Sequence, residues 1–153
     1  MSQRFSLLIL IVTVALATPV KGRKADMQPA SLRKTATHVI VGNVVGIYER
    51  TEVKGDWRYT RYVAEIRVTD TEKGEGIDES GMVYARYWKR RWIAGGHMPT
   101  STVGYRGLPR EGETVRVYLA RNAYDGFGHD NKDGGFNVIG ANGFERLKTK
   151  PSK

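Results

Sequence analysis

Residues 59–72, YTRYVAEIRVTDTE, alternate between apolar and polar side chains over the length of a long β-strand. Tyr62, Ala64, Ile66 and Val68 fall on one face, and Arg61, Glu65, Arg67 and Thr69 on the other. A period of two does not suit an amphipathic helix, whose apolar positions recur every third or fourth residue. The segment therefore commits the chain to a sheet with one buried face and one wet face. Lys73-Gly74-Glu75-Gly76 ends it. Upstream, residues 38–48 read HVIVGNVVGIY, with Val39, Val41, Val45 and Ile47 on one parity and Ile40 and Val44 on the other. That pattern, apolar on both parities, suits a strand covered on most of its length. Gly42 and Gly46, four apart, are expected on one face, where they permit close approach of another segment.

Residues 82–88, 114–120 and 136–139 supply three further strands. Between the first two strands, residues 49–57 read as a polar loop around Gly55-Asp56. Asp133-Gly134-Gly135 and Asn142-Gly143 are turn sequences, since Gly and Asn tolerate positive φ. The connections over residues 93–112 and 121–135 are long and glycine-rich. Residues 29–36 can form one or two helical turns with Ser31 as a possible cap, and no useful amphipathic helix follows. Five strands with glycine bends predict an all-β domain in which a small barrel removes exposed sheet edges.

The N-terminus reads as an address. After Arg4, residues 5–17 are uncharged for 13 residues and end Ala15-Leu16-Ala17. This is the charged start, apolar run and small-residue ending of a secretory signal peptide, 1–17, with cleavage expected after Ala17. The competing reading is a membrane anchor, but spanning takes about 20 apolar residues, and Pro19, Lys21, Arg23 and Lys24 stop this run. The expected organisation is then a leader with a possible short helix at 18–35, a β-barrel domain at 36–147 and a basic tail at 148–153. A secreted or periplasmic location follows from the leader. The 153-residue chain has no cysteine, which removes disulfides, thiolate metal sites and cysteine nucleophiles. About 136 mature residues suffice for one unstapled hydrophobic core.

The opening THVIVGNVVGIYE, followed by YTRYVAEIRVTDTEKGEG, resembles secreted bacterial domains with an OB-like barrel, distantly similar to netrin and TIMP-like modules. The matching residues are Val41-Gly42-Asn43-Val44 and Lys73-Gly74, with Leu108-Pro109-Arg110-Glu111-Gly112-Glu113 leading into a later strand. The resemblance covers residues 36–147 and implies a five-stranded OB-like barrel with long Gly-rich loops. Inhibitors of that type use an N-terminal cysteine and disulfides, which this chain lacks, so no site residue transfers.

Residues 82–92, MVYARYWKRRW, are the strongest chemical anomaly. Extended, they put Tyr84, Arg86, Trp88, Arg90 and Trp92 on one face, and Val83, Ala85 and Tyr87 on the other, continuing as Lys89 and Arg91. Interleaved rings and guanidinium groups offer stacking, cation–π contact and forked hydrogen bonds to anions. Arg61 and Arg67 extend this patch if they emerge on the same side. The competing reading is a barrel strand whose aromatics close the core while its arginines reach for water. Twenty-five Lys and Arg against 16 Asp and Glu give a net charge of +9, which favours anionic partners. Export directs that charge toward wall polymers, glycans or lipid headgroups and away from nucleic acid.

Other signals carry less. Residues 128–135, GHDNKDGG, lack the carboxylates of a calcium loop, and His38, His97 and His129 have no metal-motif spacing. Asp70, Glu72, Glu75, Asp78 and Glu79 read as a solvated strand end and turn, not the paired acids of a glycosidase. No hydrolase or nucleotide-binding motif is present. The expectation is a non-catalytic, cofactor-free and metal-free binding module for an anionic polymer or surface. The alternative is an extracytoplasmic protein-interaction or inhibitor-like module docking through a loop such as 93–110. A third reading, a small hydrolase pairing a carboxylate with a histidine, would need a cleft that the sequence does not reveal.

Overall fold

The computed structural model describes residues 26–98, 104–121 and 136–148. The signal-peptide reading, the GHDNKDGG loop, His129 and the tail beyond Lys148 lie outside them. Helix α1, Pro29–Thr35, precedes strands β1 (His38–Lys54), β2 (Trp57–Lys73), β3 (Met82–Trp92), β4 (Thr114–Arg121), β5 (Phe136–Val138) and β6 (Phe144–Arg146). The sheet runs β1-β2-β3-β5-β4-β6 and closes through a further β1–β4 pairing. β3 and β5 are parallel, and the other pairs are antiparallel. The result is a closed five-stranded OB-like barrel, with β6 added along β4. This small all-β barrel is the expected fold class; β6 is an addition, only three residues long after the Asn142-Gly143 turn.

Inside, Ala64, Ile66 and Val68 of β2 meet Ile40 and Val44 of β1, Val83, Ala85 and Tyr87 of β3, Val115, Val117 and Leu119 of β4, and Val138. The alternation in β2 thus specifies which face is buried. Each Val, Leu or Ile among them contributes roughly 1.5–3 kcal/mol on burial. Outside the barrel, α1 buries Leu32 and Ala36 against Val39, Tyr118, Ala120 and Ile139. A seven-residue helix cannot hold itself; Lys73 Nζ secures its end by donating to the carbonyls of Arg33 (2.8 Å) and Ala36. Ser31 does not cap this helix: Gln28 stands at the N-cap, without a side-chain hydrogen bond, and Pro29 opens the first turn.

Two local expectations are corrected. β1 is bulged at Val45, where the register shifts between Val44 and Gly46. An extra residue reverses the parity downstream, so Ile47 packs toward the core with Ile40 and Val44. Gly42 and Gly46 therefore do not share a face. A Cβ on Gly42 would lie 2.6 Å from Ile66 Cγ2, whereas one on Gly46 would approach Glu65 Oε2. The expected polar loop at 49–57 is mostly strand. β1 and β2 stay paired up to Lys54↔Trp57, leaving Gly55-Asp56 as a two-residue turn with Gly55 at φ +56°.

A three-stranded basic arm as the candidate functional site

The long β1–β2 hairpin outruns the barrel. β4 pairs with β1 only from His38 to Asn43, and β5 with β3 only at Ala85 and Arg86. Beyond these points β1, β2 and β3 continue together, in register from Tyr48↔Val63 to Lys54↔Trp57 and from Val63↔Arg86 to Trp57↔Trp92. The arm has two faces: one continues the outside of the barrel, the other its lining.

All seven residues singled out from the sequence fall on the outer face. Arg61 is directly opposite Trp88, and Arg67 is opposite Met82, one step along from Tyr84. Their surroundings differ sharply. Trp88 is only 4% exposed and belongs to the core cluster. Gly104 bridges Lys89, the Tyr105 N–H donates to the Trp88 carbonyl, and the Tyr105 ring meets the indole edge-on at 6.3 Å. Trp88 is thus a core residue and not a stacking platform, because a segment distant in sequence folds over it. Tyr105 is anchored in turn by its hydroxyl, which donates to the Val138 carbonyl.

Tyr84 is 52% exposed, but Glu65 intervenes. The Tyr48 hydroxyl donates to Glu65 Oε2 (2.7 Å) and the Tyr84 hydroxyl to Oε1 (3.3 Å). That carboxylate holds the Tyr48 phenol above its ordinary 10 by accepting its proton in a hydrogen bond. A fixed negative charge therefore sits in the middle of this face. Farther out, the Arg90 guanidinium lies 4.2 Å above the Trp57 ring, and Trp57 meets Trp92 edge-on at 5.1 Å. Arg61 lies 3.7 Å from Glu52, which also meets Lys54 at 3.3 Å. Arg86 is half-buried beside Asn137, and Arg67 is exposed. The outer face spends much of its aromatic and cationic chemistry on its own cohesion.

The inner face is different. It starts where the Tyr62 and Tyr87 rings stack at 5.0 Å across the barrel mouth; burial pushes both phenols upward. Past that stack come Thr60 and Lys89, directly paired, and then Arg58 and Arg91, directly paired. Arg58, Lys89 and Arg91 are all exposed. None has a carboxylate within salt-bridge distance among the described residues. Arg58 falls between the expected loop at 49–57 and the alternating run that begins at Tyr59, so the sequence assigns it to no face. A strand assignment through residue 58 would have aligned it with Lys89 and Arg91.

The remaining chemistry is structural. Glu72 receives Arg116 at 2.8 Å and Arg33 at 2.7 Å, and Arg116 also reaches Glu145 at 2.8 Å. The hydrogen bond from Arg116 is the main reason that the Glu72 carboxyl sits below its ordinary 4.5, and the same carboxylates raise Arg116. Glu72 is thus a bridge between α1 and the barrel and no longer part of a solvated turn. At the opposite end of β1, Thr37, His38, Gly74, Glu75, Gly76 and Arg121 line an open recess of about 670 Å³. His38 is engaged there by Thr37 Oγ1 (2.9 Å), the Glu75 carbonyl (3.1 Å) and the edge of Phe136. No cluster of three or more metal-ligating side chains occurs among the described residues. Nor does any described helix have the length and apolarity to cross a membrane. No protein family, curated protein or solved structure matches this chain.

Proposed function

We propose that the protein is an exported binding module that holds an anionic polymer, one bearing phosphate, sulfate or carboxylate groups, against the arm. The observation that carries this reading is the cluster Arg58, Lys89 and Arg91. Like charges directly opposite on neighbouring strands are destabilising, and Arg58 and Arg91 face each other with no carboxylate in salt-bridge distance among the described residues. A polyanion supplies the missing counter-charge, and guanidinium forks suit its oxyanions. The cations sit on a sheet stiffened from behind by Trp57, Arg90 and Trp92, which lowers the cost of ordering them on binding. Arg67 and Arg86 on the outer face are auxiliary contacts. Export rests on the leader, and the cysteine-free barrel is consistent with either side of a membrane.

The test is retention on a sulfated-glycan matrix developed with a salt gradient. Arg58→Ala/Lys89→Ala/Arg91→Ala should elute well before the wild type. Arg90→Ala should shift elution less, since that side chain already covers Trp57. Identical elution of the triple variant and the wild type would overturn the reading.

A further inference from the structure

The arm leaves one edge of β1 open, and the residues along it are complementary to themselves. As far as Ile47 this edge is covered: Val44 exchanges backbone hydrogen bonds with Gly112 and Glu113, and the Ile47 N–H donates to Glu111 Oε1 (3.1 Å). Beyond Ile47, no described residue pairs with it. The direction of each backbone group follows from two observations. The two-residue turn makes Lys54↔Trp57 a hydrogen-bonded pair, so Val53, Thr51 and Glu49 alternate outward. Thr51 and Thr60 meet through their hydroxyls at 3.1 Å, as the closer, non-hydrogen-bonded type of pair allows. The outward N–H of Ile47 is in phase with this pattern. Glu49, Thr51 and Val53 thus present both backbone groups of each residue to whatever lies beside β1.

We infer that a second copy of the chain pairs antiparallel with this edge, about a two-fold axis at Thr51. In that register Thr51 exchanges hydrogen bonds with Thr51 of the second copy, and Glu49 does so with Val53, in both directions. On the outer face Arg50 then stands opposite the second copy's Glu52, twice over. Neighbouring registers fail. Centring the axis on Arg50 sets two arginines face to face, and centring it on Glu52 sets two glutamates face to face; like charges directly opposite are destabilising. Charged residues on an edge usually discourage pairing, but here the Thr51-centred register sets opposite signs across the whole open edge, whereas one centred on Val53, which also sets Glu52 opposite Lys54, runs past Thr51 into the Gly55-Asp56 turn and pairs fewer residues. The paired sheet also carries both sets of Arg58, Lys89 and Arg91 on one face, although the pairing does not depend on what those residues bind.

Sedimentation of the purified protein over a concentration series tests this. The wild type should form a dimer. Arg50→Glu and Glu52→Arg should each weaken self-association by about tenfold or more, since each sets like charges across both symmetry-related contacts. An equimolar mixture of the two variants should dimerise again, because 50 and 52 are then of opposite sign at every contact. As a check independent of any substitution, the Glu49, Thr51 and Val53 amides of the wild type should exchange with solvent faster on dilution. A monomeric wild type at millimolar concentration, a dimer indifferent to both substitutions, or variants that fail to recombine would each overturn the inference.

Discussion

Replacing Trp88 with alanine separates core from surface more cleanly than any other single change in this protein. The side chain is 4% exposed and held between the barrel and Tyr105. A buried Trp removes some 150–250 Å² from water, which at about 25 cal/mol per Å² is roughly 4–6 kcal/mol of transfer free energy. Measured truncations of buried aromatics fall near 3–5 kcal/mol, because part of the site collapses around the gap. For a domain between the roughly 100- and 150-residue classes 1 kcal/mol shifts Tm by about 4 °C, so a fall of some 10 °C or more is expected. Thermal unfolding followed by circular dichroism measures it. The variant's retention on the sulfated matrix, below its unfolding transition, should be close to wild type. A Tm within about 2 °C of wild type, together with lost retention, would refute the burial argument and return Trp88 to the binding surface.

Other consequences follow from the same contacts. Glu72→Gln breaks the bridge to Arg116 and Arg33 and should cost about 1–3 kcal/mol at neutral pH, read from denaturant midpoints. Because the folded carboxyl titrates below its ordinary 4.5, its stabilisation is present above that value and is lost as pH falls through the folded one; the gap between wild type and variant should narrow under acid. Gly42→Ala places a methyl group 2.5 Å from the Arg67 carbonyl oxygen, where backbone must yield, and should destabilise by about 1–3 kcal/mol in the same assay. Trp57→Ala removes the ring beneath Arg90 and the partner of Trp92; faster amide exchange in residues 57–60, with the barrel amides unchanged, is the expected sign.

What the sequence revealed depended on whether a face was half-buried. In β2, Ala64, Ile66 and Val68 alternate with polar residues because one side meets the core, and the strand, its orientation and the barrel class were all legible there. In the arm both faces are wet, so Arg50, Thr51 and Glu52 carry no alternation and read as a loop, and Arg58 falls between that loop and the run beginning at Tyr59. The bulge at Val44–Gly46 hid the true phase of β1, since a parity count cannot see one extra residue. Trp88 was placed on the correct face, but its cover comes from Gly104 and Tyr105, more than a dozen positions away. Glu72 looked like one acid among several because Arg33 and Arg116 approach it only in the fold. The aromatic–arginine pattern lies on the outer face of β3, whereas Lys89 and Arg91, which among the described residues have no carboxylate in salt-bridge distance, stand on its other face.

The most direct test of that last point is the salt dependence of binding to a defined single-stranded polyanion, compared between wild type and Arg58→Ala/Lys89→Ala/Arg91→Ala. Each ionic contact contributes about 0.7 to the slope of log K against log salt. Three lost contacts should therefore make the slope shallower by about two. Equal slopes, with or without equal affinity, would mean that the inner face of the arm does not touch the polymer.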